Sequence, residues 1–164
     1  MGRTIHLEWF DHRGPRAGRG DAQPDDHGLR FNCTQCGNCC TGVSGYVKFT
    51  DEEAEGMARH LGISLDEFLR EYTHETPMGR SLTERKTEFG YDCVFLDRDT
   101  LPGKAICGLY EHRPEQCRTW PFWQSNLSSE HAWRRAAMGC PGVDRGSKVT
   151  PPDEIRRQRD RVPM

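Results

Sequence analysis

Four cysteines fall inside eight residues, Cys33-Thr34-Gln35-Cys36-Gly37-Asn38-Cys39-Cys40, and no other stretch restricts the folding of this chain so tightly. Two Cys-x-x-Cys steps share Cys36, and Cys40 follows Cys39 with no spacer. A cysteine that is merely buried needs no partners at fixed spacing, whereas a soft metal ion does. Thiolates at i, i+3 and i+6 on a turning loop can converge on one ion, as in zinc knuckles and iron–sulfur loops. Four more thiols, Cys93, Cys107, Cys117 and Cys140, follow farther along.

Composition makes such a staple necessary. Apolar residues are 34% of the 164, against about 45–50% in ordinary globular proteins. A domain short of apolar area leans on disulfides or metals. Eight cysteines would suit a disulfide framework in a secreted protein. However, Met1 to Pro15 has no continuous apolar run of the kind that forms a signal-peptide core. No stretch approaches about 18 apolar residues, so no membrane span is expected. Met1-Gly2 resembles a myristoylation start, but His6 stands where Ser or Thr belongs. These features point to the cytoplasm, where thiols stay reduced and clustered cysteines serve as metal ligands or redox centres. A net charge of -2 argues against a nucleic-acid partner bound by phosphate neutralisation.

The chain divides by composition into a flexible N-terminal arm (1–28), a cysteine-rich domain (29–143) and a charged C-terminal tail (144–164). Gly14 to Asp21 has almost nothing to bury, while Ile5 to Phe10 alternates weakly, as an edge strand would. Tyr46 to Phe49 alternates as a short strand. Thr50 and Glu53 form a capping box that opens a helix to about Leu61, with Gly62 at its end. Ser64 and Glu67 repeat the device for a helix through Tyr72. Cys93-Val94-Phe95-Leu96 and Ala105 to Tyr110 flank a Pro102-Gly103 turn and read as a hairpin that brings Cys93 near Cys107. Arg113 to Arg118 is a short helix begun by Pro114 and stopped by Pro121. Ser128 or Ser129 caps a last helix over Glu130 to Met138. The expected fold class is α+β: short helices and a β-hairpin around a cysteine cluster, stabilised by metal.

Phe31-Asn32-Cys33 through Cys40 resembles the signature of the CxxCxxCC cysteine-cluster family, also called YkgJ-like, a candidate zinc- or iron-chelating domain. Further matches follow in the same order: Cys93 to Leu96; Cys107-Gly108-Leu109-Tyr110-Glu111-His112-Arg113-Pro114-Glu115-Gln116-Cys117-Arg118; Trp120-Pro121-Phe122; and Cys140-Pro141-Gly142. Leu109 and Trp120 depart mildly from the pattern. The resemblance implies a chelating domain over about residues 31–142. Longer relatives include proteins described as flagellin lysine N-methylases.

All eight thiols, Cys33, Cys36, Cys39, Cys40, Cys93, Cys107, Cys117 and Cys140, are thus candidate ligands. A tetrahedral Zn(II) takes four, as does an iron–sulfur cluster such as [4Fe-4S]. Spacing leaves zinc and iron–sulfur both open. Cys33, Cys36 and Cys39 match a ferredoxin loop, but Cys40 lacks the three-residue spacer before a fourth ligand. Arg113 and Arg118 flank Cys117. They pair with Glu111 or Glu115, cap buried carbonyls, offset the negative charge of a thiolate-bound cofactor, or present an anionic substrate. Trp120, Phe122 and Trp123 read as core or shielding residues. An iron–sulfur enzyme for electron transfer or side-chain methyl transfer is the alternative function, although no acid, base and nucleophile stand together outside the thiols. A thiol–disulfide role for Cys36 and Cys39 would leave six cysteines unused.

Overall fold

The computed structural model describes residues 7–13 and 27–161. Ile5, His6 and the Gly14 to Asp21 stretch lie outside the described residues. Along the chain run β1 (Leu29–Arg30), α1 (Asp51–Leu61), α2 (Leu65–Glu71), β2 (Thr73–Thr76), β3 (Gly79–Leu82), β4 (Glu84–Thr87), β5 (Gly90–Cys93), β6 (Leu96–Asp97) and β7 (Ile106–Cys107). After a 3-10 turn (Tyr110–His112) come α3 (Glu115–Arg118), α4 (Gln124–Leu127), α5 (Glu130–Gly139), β8 (Val149–Thr150) and α6 (Pro152–Arg161). The protein is therefore a small mixed α+β fold, as its sequence suggests. It forms two compact units: Thr34–Trp120, and the residues up to Cys33 together with those from Pro121 onward.

Thr34–Trp120 is built on the helix pair. Thr50 accepts from the Glu53 N–H while the Glu53 carboxylate accepts from the Thr50 N–H, so the capping box forms as read. Gly62 ends α1 at φ 71°, a left-handed position that costs glycine little. Ser64 caps α2 by accepting from the Glu67 N–H. The apolar faces of both helices meet Leu82 and Leu109 around Ala54, Met57, Ala58 and Phe68. Phe95 and Tyr72 stack there at 5.1 Å.

Three antiparallel hairpins follow: β2 with β3, β4 with β5, and β6 with β7. The hairpin around Pro102-Gly103 exists, and its ladder pairs Leu96 with Cys107 and Asp97 with Ile106. Cys93 instead sits on β5, opposite Glu84. Tyr46–Phe49 is not a strand. Its backbone is held singly, the Val47 N–H by the Ser81 hydroxyl and the Val47 carbonyl by the Leu82 N–H.

In the other unit β1 pairs with β8, and Phe31 bridges Val143. Ser129 caps α5. Trp133 is fully buried, stacked on Phe122 at 5.8 Å, with its indole N–H donating to Asp144 at 2.9 Å. Phe122 is thus a core residue of this unit. Phe10 and Ile155 are also fully buried. Arg156 binds Glu8 at 3.0 Å and also pairs with Asp11. The residues after Asp144 read as an irregular charged tail, but Pro152–Arg161 is a helix. Its charges hide the one apolar anchor, Ile155, that it buries.

Candidate metal centre

The cysteine loop has almost no regular structure, so hydrogen bonds from other segments position it. At its start the Gln35 carbonyl accepts from the Ala105 N–H at 2.8 Å, and the Thr34 carbonyl from the Lys104 ammonium at 3.0 Å. Gly37 lies at φ 75°, and a Cβ there would stand 2.6 Å from the Ala105 Cβ. Only glycine lets the loop lie against the segment leading into Cys107. Next, the Cys40 N–H donates to the Gly37 carbonyl, turning the chain at Cys39 and Cys40. At the far end the Cys40 carbonyl accepts from the Cys93 N–H at 2.8 Å, and Gly42 from Tyr91 at 2.8 Å. The loop thereby joins the edge of β5 next to Cys93.

Cys117 arrives on α3. Two side chains hold that short helix in place. The Glu53 carboxylate, besides capping α1, accepts from the Glu115 N–H at 2.6 Å. Gln116 accepts from the Lys48 N–H at 2.9 Å and donates to the Tyr46 carbonyl at 2.8 Å.

Cys36, Cys39, Cys40, Cys93, Cys107 and Cys117 thus share one unit, and all are unbridged thiols. The Cys39 and Cys40 sulfurs are 3.5 Å apart. With the Cys40 S–H donating to it, and with a smaller pull from the Arg113 charge, the Cys39 thiol falls to about 7. Cys40 is pushed up, first by giving that hydrogen bond, then by burial and by the charges of Cys39, Cys117 and Cys93. Burial pushes Cys93 up to about 11, with the Cys107 charge adding to it. Burial likewise raises Cys107, and it raises Cys117, which also feels Cys93, Cys107 and Cys39. Five thiols are therefore linked by mutual charge effects, each reaching at least two of the others. Deprotonating all of them without a cation is unfavourable.

The two flanking arginines differ. Arg113 lowers Cys39, Cys107 and Cys117 through its charge. It is held over the Tyr110 ring at 3.8 Å and donates to the Tyr110 carbonyl at 2.8 Å. Arg118 pairs with Glu115 at 3.0 Å and Glu53 at 3.6 Å. Cys33 and Cys140 belong to the other unit. There the Asn32 N–H donates to the Gly142 carbonyl at 3.0 Å, so both cysteines adjoin the same pair of extended segments. Cys140 ends α5 and is buried; Cys33 is exposed.

A buried carboxylate that ties the cysteine loop to β5 escaped the sequence reading. Asp92, beside Cys93, is buried. It accepts from Arg98 at 2.8 and 3.1 Å and from the hydroxyl of Thr41, the residue after Cys40. Arg98 holds its carboxyl below the ordinary range, and the Thr41 hydroxyl adds to this. The clamp fixes the loop to β5 beside both cysteines.

Among the described residues no three His, Cys, Asp or Glu side chains already close around one point as a metal set. The donor chemistry nevertheless fits a soft ion. A tetrahedral ion with Zn–S near 2.3 Å holds its sulfurs about 3.8 Å apart, and Cys39 and Cys40 stand at 3.5 Å. The Thr34 hydroxyl, inside the first Cys-x-x-Cys step, is buried with no acceptor, so a bound thiolate species could take its hydrogen bond. Fold and thiol set together define a small α+β metal-chelating domain of the cysteine-rich class. A model of the CxxCxxCC family, described as "putative zinc- or iron-chelating domain", matches residues 32–141. The chain belongs to that family. No solved structure matches the chain.

Proposed function

We propose that this protein chelates zinc or iron through the thiolates of Cys36, Cys39, Cys40, Cys93, Cys107 and Cys117. The observation that carries the reading is the electrostatic coupling of five of these thiols within one unit, tied together by the Cys40–Cys93 backbone bond. Arg113 offsets the excess charge of four thiolates on a dication. Arg118, occupied by Glu115 and Glu53, serves the fold, and both arginines stay outside the ligand set. A reducing compartment such as the cytoplasm keeps the thiols available. The near-neutral charge balance gives no support to a nucleic-acid partner.

The 3.5 Å Cys39–Cys40 separation supports both sulfurs binding one metal atom. That arrangement suits a mononuclear tetrathiolate ion, or a [2Fe-2S] cluster in which each iron takes two thiolates. It suits a [4Fe-4S] cubane less well, because each cubane iron takes one. The test is anaerobic purification followed by zinc, iron and sulfide per chain, repeated for serine variants of each cysteine. Metal content that survives Cys39→Ser, Cys40→Ser and Cys117→Ser unchanged would overturn the reading. Loss in Cys33→Ser or Cys140→Ser would extend the ligand set to them. Electron transfer and cluster-dependent methyl transfer require the iron outcome; a colourless zinc protein excludes both cluster-based readings.

A further inference from the structure

Outside the thiols, two imidazoles meet on the surface of Thr34–Trp120. His60 is in the last turn of α1, and His112 ends the 3-10 turn that follows Cys107 by a few residues. Their ring centroids are 4.5 Å apart with planes inclined at 35°, and both side chains are exposed. The His60 Nε2 lies 3.2 Å from the Gly108 carbonyl oxygen. A carbonyl only accepts, so Nε2 carries the proton, and in the neutral ring the lone pair is on Nδ1. Histidine ligands are commonly oriented in this way, by donating the second ring N–H to a backbone carbonyl. Packing accounts poorly for the pair, since two exposed rings bury little and repel when both are protonated.

We propose that His60 and His112 form a second, exchangeable site for a borderline divalent cation, completed by water. Zinc or nickel suits imidazole ligands. A tetrahedral ion with Zn–N near 2.0–2.1 Å holds two nitrogens about 3.3 Å apart. The exposed His112 ring can turn about its side-chain bonds against its neighbour 4.5 Å away, while the Gly108 carbonyl orients His60. Gly108 is the residue after Cys107, so the carbonyl that orients His60 adjoins one of the proposed thiolate ligands in the chain. A role for the pair in supplying the thiolate centre rests on the chelation proposed above, whereas the site itself does not.

The test uses the full chain, first saturated with zinc and freed of excess metal. Nickel and zinc are then titrated calorimetrically into the wild type and into the His60→Gln and His112→Gln variants. One further equivalent is expected in the wild type, at least tenfold weaker in either variant, with tightly held metal unchanged. Circular dichroism melts identify a variant that fails to fold, and the other variant then decides the matter. No further equivalent in the wild type, or one that persists in both variants, overturns the site. If the thiolates hold no metal, the chelation reading fails while the histidine titration still gives its own answer. In a separate arm started from metal-free full chain, a slower uptake of the tightly held zinc in the variants, at equal final content, is the expected sign of supply. Equal uptake rates would confine the pair to a separate binding role.

Discussion

At the scale of single residues, Asp92 has the largest consequences outside the thiols. It is 1% exposed and makes charge-assisted bonds to Arg98, plus one from Thr41. Hydrogen bonds to a charged group contribute about 1.5–3 kcal/mol, so Asp92→Asn should cost about 2 kcal/mol in urea unfolding at neutral pH. The pH dependence follows from the direction of its shift. The folded carboxyl titrates below its ordinary value, so its stabilisation is present above the unfolded pKa and is lost as pH falls through the folded one. The gap between wild type and variant should therefore begin to narrow as the pH falls below about 4 and close only below the lowered folded pKa; a constant gap would refute the assignment. The arginines give a second contrast. Arg113→Gln should reduce bound metal and move the midpoint of Cys39 alkylation up from about 7, while Arg118→Gln should leave both unchanged. The pair of arginines was visible in the sequence, but which one faces the thiols was not, because Glu53 is distant in the chain. Asp92 was missed for the same reason: its partner Thr41 is 51 residues away.

At the scale of elements, local chemistry was legible and pairing over distance was not. Thr50, Glu53, Gly62 and Ser129 cap helices as their residue types suggest, since a cap depends on neighbours within one turn. The hairpin at Pro102-Gly103 was also visible. Its strand is shorter than read: Leu96 and Asp97 pair with Cys107 and Ile106, and Cys93, which feels the Cys107 charge as the hairpin implies, lies on β5 instead; two-residue strands carry too little alternation to fix their ends. The β2–β3 hairpin, with Gly79 at φ 101°, was hidden in Thr73-His74-Glu75-Thr76, which shows no apolar period. The β4–β5 hairpin has a sharper requirement. Gly90 is at φ 115°, and a Cβ there would lie 2.4 Å from the Gly42 carbonyl oxygen. Gly90→Ala must therefore push β5 off the loop that carries Cys40, breaking the Tyr91–Gly42 bond. A loss of about 1–3 kcal/mol is expected from such overpacking, together with reduced metal content. Gly79→Ala is the control: its φ is also positive, but no atom lies within 4 Å of its added Cβ, so it should cost stability without loss of metal.

At the scale of the whole molecule, the two units differ in how they replace a large core. The unit containing Trp133 closes around Phe10, Phe122 and Ile155, with Arg156 and Arg159 both pairing to Glu8. Thr34–Trp120 has one small cluster between two helices, and its three hairpins are each two-stranded. Two-stranded hairpins are marginal alone in water, and the loop from Thr34 to Gly45 has no helix or strand of its own, Gly37 lying against Ala105 and Leu96. Ligation by Cys39, Cys40, Cys93 and Cys117 would cross-link that loop, β5 and α3. Structural zinc contributes on the order of 10 kcal/mol in small cysteine-rich domains, comparable to a whole domain's stability of about 5–15 kcal/mol. Chelation should therefore strip hydrogen-exchange protection from β4, β5, β7 and α3 first, with α1 and α2 weakened later. The amides of α5 and the near-ultraviolet signal of Trp133 should persist, because that unit's core owes nothing to the six thiols. Uniform loss of protection across both units would show instead that the metal holds the whole chain, and would bring Cys33 and Cys140 into its ligand set.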